Sequence, residues 1–152
     1  MYIEKLNTIQ HDHSLVAIKD TFSVESKRYL TYYDEKWECK LFLNFKTVEE
    51  NNENNLIENL SSSLSVNRSL IHCEIKGNQV DEKYSVSHKE MRTYNHRLYE
   101  VSISNFPEIM RNDDFTLNGK HYYWMSIDDM RKDKEIIKKN LEIVEFVHSH
   151  IK

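Results

Sequence analysis

Residues that punctuate structure are scarce in this chain: among 152 residues there are two glycines and one proline. A Gly-rich phosphate loop is thereby excluded, and the elements have to be read from hydrophobic periodicity and polar clusters. Cysteine is equally rare. Cys39 and Cys73 stand alone, without a CxxC spacing and each in an apolar alternating segment, so buried free thiols are expected. No apolar stretch approaches the roughly 20 residues needed to cross a bilayer. The start, MYIEKLNTIQHDH, lacks the charged-then-apolar order of a secretion signal. A cytoplasmic location is the expectation, in a reducing compartment that suits free thiols. Formal net charge is −4 with histidine counted neutral, so there is no global basic field for long nucleic acid. A local basic site for a small anion is still compatible with that charge, because only charges within roughly a Debye length act strongly.

The chain is 39% hydrophobic and 30% charged, which fits one domain over residues 1–152 with a real core. Segments 14–24 and 29–33 are rich in β-branched and aromatic residues and read as strands. After Asp34, Glu35 and Lys36 supply a turn, the chain alternates. Trp37, Cys39, Leu41, Leu43 and Phe45 fall on one face, with Glu38, Lys40, Phe42 and Asn44 on the other. Beyond the run EENNENN, the residues Leu56, Ile57, Leu60 and Leu64 recur at helical spacing, which predicts a helix over 52–64 capped by Asn51 or Asn52. Segments SLIHCEIKG, RLYEVSIS and HYYWMS read as strands, separated by turn signals at Gly77-Asn78 and Asn118-Gly119, with a helical turn after Pro107. Ser126 and Asp129 form a capping signal, and Ile137, Leu141, Val144, Val147 and Ile151 predict one continuous terminal helix from about Asp133. Five or six strands with one internal and one terminal helix give an α+β fold, a mixed or antiparallel sheet sandwiched between helices.

The order of these elements resembles the Nudix hydrolase family, whose box runs glycine, five residues, glutamate, seven residues, then Arg-Glu-aliphatic-any-Glu-Glu-any-Gly-aliphatic. Laid without a gap, the pattern sets Asn44 at the first glycine and Glu50 at the first glutamate. Glu58 then stands at the arginine, Asn59 at the next glutamate, Ser62 and Ser63 at the glutamate pair, Ser65 at the last glycine. Leu60 and Val66 keep the aliphatic positions. The box is thus degenerate: the resemblance implies metal ligands where this chain has neutral side chains. Hard cations such as Mg²⁺ need anionic oxygens, so no cofactor is expected, with Mg²⁺ or Mn²⁺ entering only if Glu49, Glu50, Glu53 and Glu58 form a displaced acidic site. The alternative for those four is a solvated loop and helix start, favoured by the helix dipole.

Within the family, YLTYYDEKWECKLFLNFKT, HRLYEV, YYWMSIDDM and NLEIVEFVHSHIK are most similar to the SMODS-associated Nudix domain of bacterial cyclic-oligonucleotide anti-phage (CBASS) signalling. That likeness implies a catalytically inactive sensor of a cyclic oligonucleotide or other nucleotide, controlling an effector that is often membrane-spanning, possible homo-oligomers included. A divergent metal-dependent hydrolase of nucleoside diphosphate derivatives and a protein–protein interaction module are the competing expectations.

A sensor needs cations for phosphates and flat side chains for bases. The segment SHKEMRTYNHRLY interleaves His88, Lys89, Arg92, Tyr94, His96 and Arg97, and reads either as a ligand-contacting edge or as charged surface. Lys40 and Phe42, on the second face of the strand entering the box, are candidates for a cleft floor. Trp124 either plugs the core or forms a stacking wall. The pairs His11/His13 and His148/His150 lack cysteine partners and read as surface histidines.

Overall fold

The computed structural model describes residues 8–23, 27–85 and 90–151. Its organising element is β3 (Cys39–Lys46), which changes partner along its length. The first half pairs antiparallel with β2 (Tyr29–Asp34), from Asp34 opposite Cys39 to Thr31 opposite Phe42. Its second half pairs antiparallel with β1 (Thr8–Ile18), from Val16 opposite Leu43 to His13 opposite Lys46. On the far side of β1 runs β5 (Glu90–Ile103), parallel to it, and then β4 (Ile71–Ser85). Beyond β2 lie β7 (Lys120–Met125) and β6 (Asp114–Leu117). The result is a seven-stranded mixed sheet of order β4-β5-β1-β3-β2-β7-β6.

Both faces of the sheet are covered, as the balance of apolar residues demands. Against one lies α1 (Asn52–Leu64), which spans the range its periodicity predicts. Its stripe of Leu56, Leu60 and Leu64 is fully buried against Val16, Ile18, Leu30, Leu43, Tyr99 and Trp124. Each such leucine contributes roughly 1.5–3 kcal/mol by burial. The other face carries α2 (Ile127–Lys132), α3 (Lys134–Lys139) and α4 (Leu141–His150), whose Met130, Ile136, Val144 and Val147 pack on Leu15, Ala17, Phe42 and Leu98.

Several expectations are corrected. Gly77-Asn78 is not a turn: β4 runs through it with a bulge between Ile75 and Gly77, and a β-carbon at Gly77 would lie 2.7 Å from the His150 ring. Glycine here marks a close approach, which sequence alone does not distinguish from a turn. The helix expected from about Asp133 is two, α3 and α4, because Asn140 leaves helical backbone geometry, and a separate helix, α2, ends before Asp133. Asp133 caps α3 by accepting from the backbone N–H groups of Glu135 and Ile136. These breaks shift the helical phase, so Ile136 is buried and Ile137 is 47% exposed. Trp37, assigned to the strand, sits in the turn before it and is 52% exposed. The capping box at Ser126 and Asp129 forms as expected. Cys39 is buried, Cys73 half-buried, and both are free; burial raises both thiols, Cys73 to about 11.

Candidate functional site

The segment matched above to the Nudix box is the second half of β3, the loop after it and α1. A buried polar network fixes how that loop enters the helix. Asn51 takes left-handed backbone geometry at the helix start without a side-chain cap, and Asn52 does the anchoring. The Asn52 carbonyl oxygen accepts from the Val48 N–H at 3.0 Å, while its amide donates to Ser14 Oγ at 2.9 Å and to the Tyr99 hydroxyl at 3.0 Å. Ser14 Oγ also meets Thr47 Oγ1 at 2.8 Å, and the Thr47 N–H donates to the Asp12 carbonyl. Ser14, Asn52 and Tyr99 are all buried, so these bonds are shielded from water and each lost partner is costly.

At its other end α1 is tied to the sheet by the β6–β7 hairpin. Asn118 and Gly119 both have positive φ, the geometry of a two-residue type I′ turn. The Asn118 amide donates to the carbonyls of Ser62 and Ser63 at 3.3 and 3.0 Å, filling acceptors that the last helical turn leaves open. Two residues on, the Lys120 ammonium lies 4.8 Å above the centre of the Tyr32 ring. The Tyr32 hydroxyl donates to Asp34 Oδ2 at 2.9 Å and accepts from the Asn44 amide at 3.3 Å. Desolvation, reinforced by the bond to Asp34, pushes the Tyr32 phenol up to about 12. Asp34 is engaged at both oxygens, since Oδ1 accepts from the Trp37 N–H. Lys120 makes no ion pair among the described residues. Asn44, Tyr32, Asp34 and Lys120 thus form one polar cluster, and the hairpin that carries Lys120 is tied to α1 through Asn118.

Asn59 and Ser63 are half-buried and Ser62 is exposed. Glu49, Glu50, Glu53 and Glu58 are all exposed, and Glu58 is ion-paired with Arg68. Among the described residues, no group of three histidine, cysteine, aspartate or glutamate side chains is placed to hold a metal ion.

The other candidates scatter. Lys40 and Phe42 belong to the side covered by the C-terminal helices. Lys40 Nζ lies 4.2 Å over the Tyr123 ring and 3.9 Å from Asp133, and Phe42 is 2% exposed in that core. Trp124 is 5% exposed, edge-on to Phe22 and Phe106, with its indole N–H donating to the Met110 carbonyl at 2.7 Å. Its ring is consumed by the core and offers no stacking wall. Arg92, Tyr94 and Arg97 lie on β5, and half-buried Arg97 is paired in register with Ser14 at the start of α1. His88 and Lys89 lie outside the described residues. Sequence reasoning missed Tyr32, Asp34, Asn118 and Lys120, although the Asn118-Gly119 signal had marked the turn that delivers the last two.

No protein-family model matches the chain, and no curated protein matches it in sequence. Solved structures do match over nearly its whole length. The NUDIX domain of Shewanella oneidensis NrtR, complexed with ADP ribose, superposes with a TM-score of 0.57 at 9% identity, over 97% of this chain and 92% of that one. For the C. elegans Ap4A hydrolase the TM-score is 0.55 at 8% identity, over 93% and 98% of the two chains. A NUDIX-family hydrolase from Clostridium perfringens gives 0.54 at 14% identity, over 94% and 99%. This chain has the Nudix fold. On the register laid out from the sequence, α1 carries Asn59, Ser62 and Ser63 where the family's box has its glutamates. Neutral amide and hydroxyl oxygens at Asn59, Ser62 and Ser63 repay poorly the dehydration of a hard cation.

Proposed function

We propose that this Nudix-fold domain binds a nucleotide without hydrolysing it, and that the nucleotide is a cyclic oligonucleotide second messenger whose occupancy is passed to an effector in anti-phage signalling. The observation that carries the reading is the pairing of a preserved scaffold with neutral residues where metal-binding carboxylates would stand. Three supports hold that scaffold: the Asn52 network at the start of α1, the Asn118 tie at its end, and the leucine stripe between. A site kept rigid at both ends is suited to binding, because ordering costs are met in folding and not on ligand arrival. Fold neighbours that act on or bind nucleotides, the Ap4A hydrolase and the ADP-ribose-bound NrtR domain, make a nucleotide the natural ligand class. The signalling role rests on the similarity of YLTYYDEKWECKLFLNFKT and YYWMSIDDM to the sensor domains described above.

The test is a thermal-shift panel of cyclic di- and trinucleotides alongside linear nucleotides. A ligand at 100 times its Kd stabilises the folded state by about 2.7 kcal/mol, which moves the melting temperature by several degrees for a domain of this size. A melting temperature unmoved by every member contradicts nucleotide sensing. If that result comes with self-association, the domain is an interaction module instead.

A further inference from the structure

Resting on the reading above, we infer that the ligand's phosphate is held by the Lys120 ammonium in place of a metal ion, and that the site is built for a phosphodiester in preference to a terminal di- or triphosphate. Three observations lead there. Lys120 is the cation of the polar cluster, and it is uncommitted: it rests over the Tyr32 ring and makes no ion pair among the described residues. The hairpin that carries it is pinned to the last turn of α1 by Asn118, so its position relative to the box helix is fixed by structure. The remaining groups of the cluster are neutral donors and one carboxylate. The oxygens of that carboxylate, Asp34, are occupied by the Tyr32 hydroxyl and the Trp37 N–H.

Counting charge sets the preference. A phosphodiester carries one negative charge, which a single ammonium and neutral hydrogen-bond donors neutralise. Terminal di- and triphosphates carry three or four charges concentrated on adjacent groups, which enzymes meet with a metal ion as well as cationic side chains. Here Asn59, Ser62 and Ser63 stand where the box has its metal ligands, and the carboxylate of the cluster, Asp34, adds no positive charge. Each further phosphate charge would therefore arrive without a counter-charge.

The experiment is calorimetric titration in EDTA, with cyclic dinucleotides covering the four bases and the four nucleoside triphosphates as probes. The wild type is compared with Lys120→Ala and Lys120→Arg, whose melting curves confirm folding of this exposed position. At least one cyclic dinucleotide should bind more tightly than every triphosphate, Lys120→Ala should weaken it about tenfold to a hundredfold, and Lys120→Arg should restore most of the loss. Equal or tighter binding of a triphosphate, or binding unchanged in Lys120→Ala, overturns this inference while leaving nucleotide sensing intact. Failure of the wild type to bind any probe overturns both.

Discussion

Burial and an acceptor carboxylate act on Tyr32 in the same direction, and the phenol rises from 10.0 to about 12. A raised folded-state pKa means that the protonated phenol is favoured by folding. Its stabilising contribution is full below pH 10, the unfolded value, and is lost as pH climbs through about 12. A tyrosinate absorbance titration of the folded protein should therefore contain a late transition near pH 12 that is missing in Tyr32→Phe. An unchanged titration curve in the variant would contradict the placement of this ring. Asn52 is the second residue whose removal should be felt at once. Asn52→Ala leaves the Val48 N–H, Ser14 and Tyr99 short of partners in a buried setting, and we expect a loss of about 2–3 kcal/mol by chemical denaturation. A loss within 0.5 kcal/mol, the usual scale of a surface substitution, would show that water replaces the network.

Among the elements, α1 was the most legible in the sequence and the terminal helices the least. The leucine stripe of α1 keeps one phase from Leu56 to Leu64, so periodicity alone gives its range. From Asp133 onward the same kind of periodicity misleads, because Asn140 resets the phase between Ile137 and the stripe of α4, leaving Ile137 exposed. The site was less readable than the fold for a related reason. Alternation along β3 separates its two faces without revealing which one meets α1, and Lys40 and Phe42 lie on the side of the C-terminal helices. The cluster of Asn44, Tyr32 and Lys120 is assembled across β3, β2 and β7, and only the strand register brings it together. The hairpin carrying Lys120 gives an element-scale prediction. Asn118→Gly keeps the left-handed turn but deletes the amide that caps α1, and should cost about 1 kcal/mol in thermal or urea unfolding. Asn118→Ala loses the amide and adds backbone strain, so it should be the more destabilised of the two. An Asn118→Gly variant as stable as the wild type would mean that the tie to α1 contributes nothing.

For the molecule as a whole, the seven-stranded sheet and α1 form a fold shared with solved Nudix structures. The proposed function keeps nucleotide binding on that scaffold and drops hydrolysis. No helix among the described residues is long and apolar enough to cross a membrane. Incubation with nucleoside diphosphate derivatives and Mg²⁺ or Mn²⁺ should release no product above the rate without protein; metal-dependent turnover would return the exposed glutamates to consideration as ligands.

Nucleotide binding without metal is tested most directly by paired calorimetric titrations of one cyclic oligonucleotide, in excess EDTA and in millimolar Mg²⁺. Saturable binding with the same Kd in both is expected, with the nucleotide recovered intact. Binding that appears only with Mg²⁺, or a nucleotide recovered cleaved, would rule out metal-free sensing.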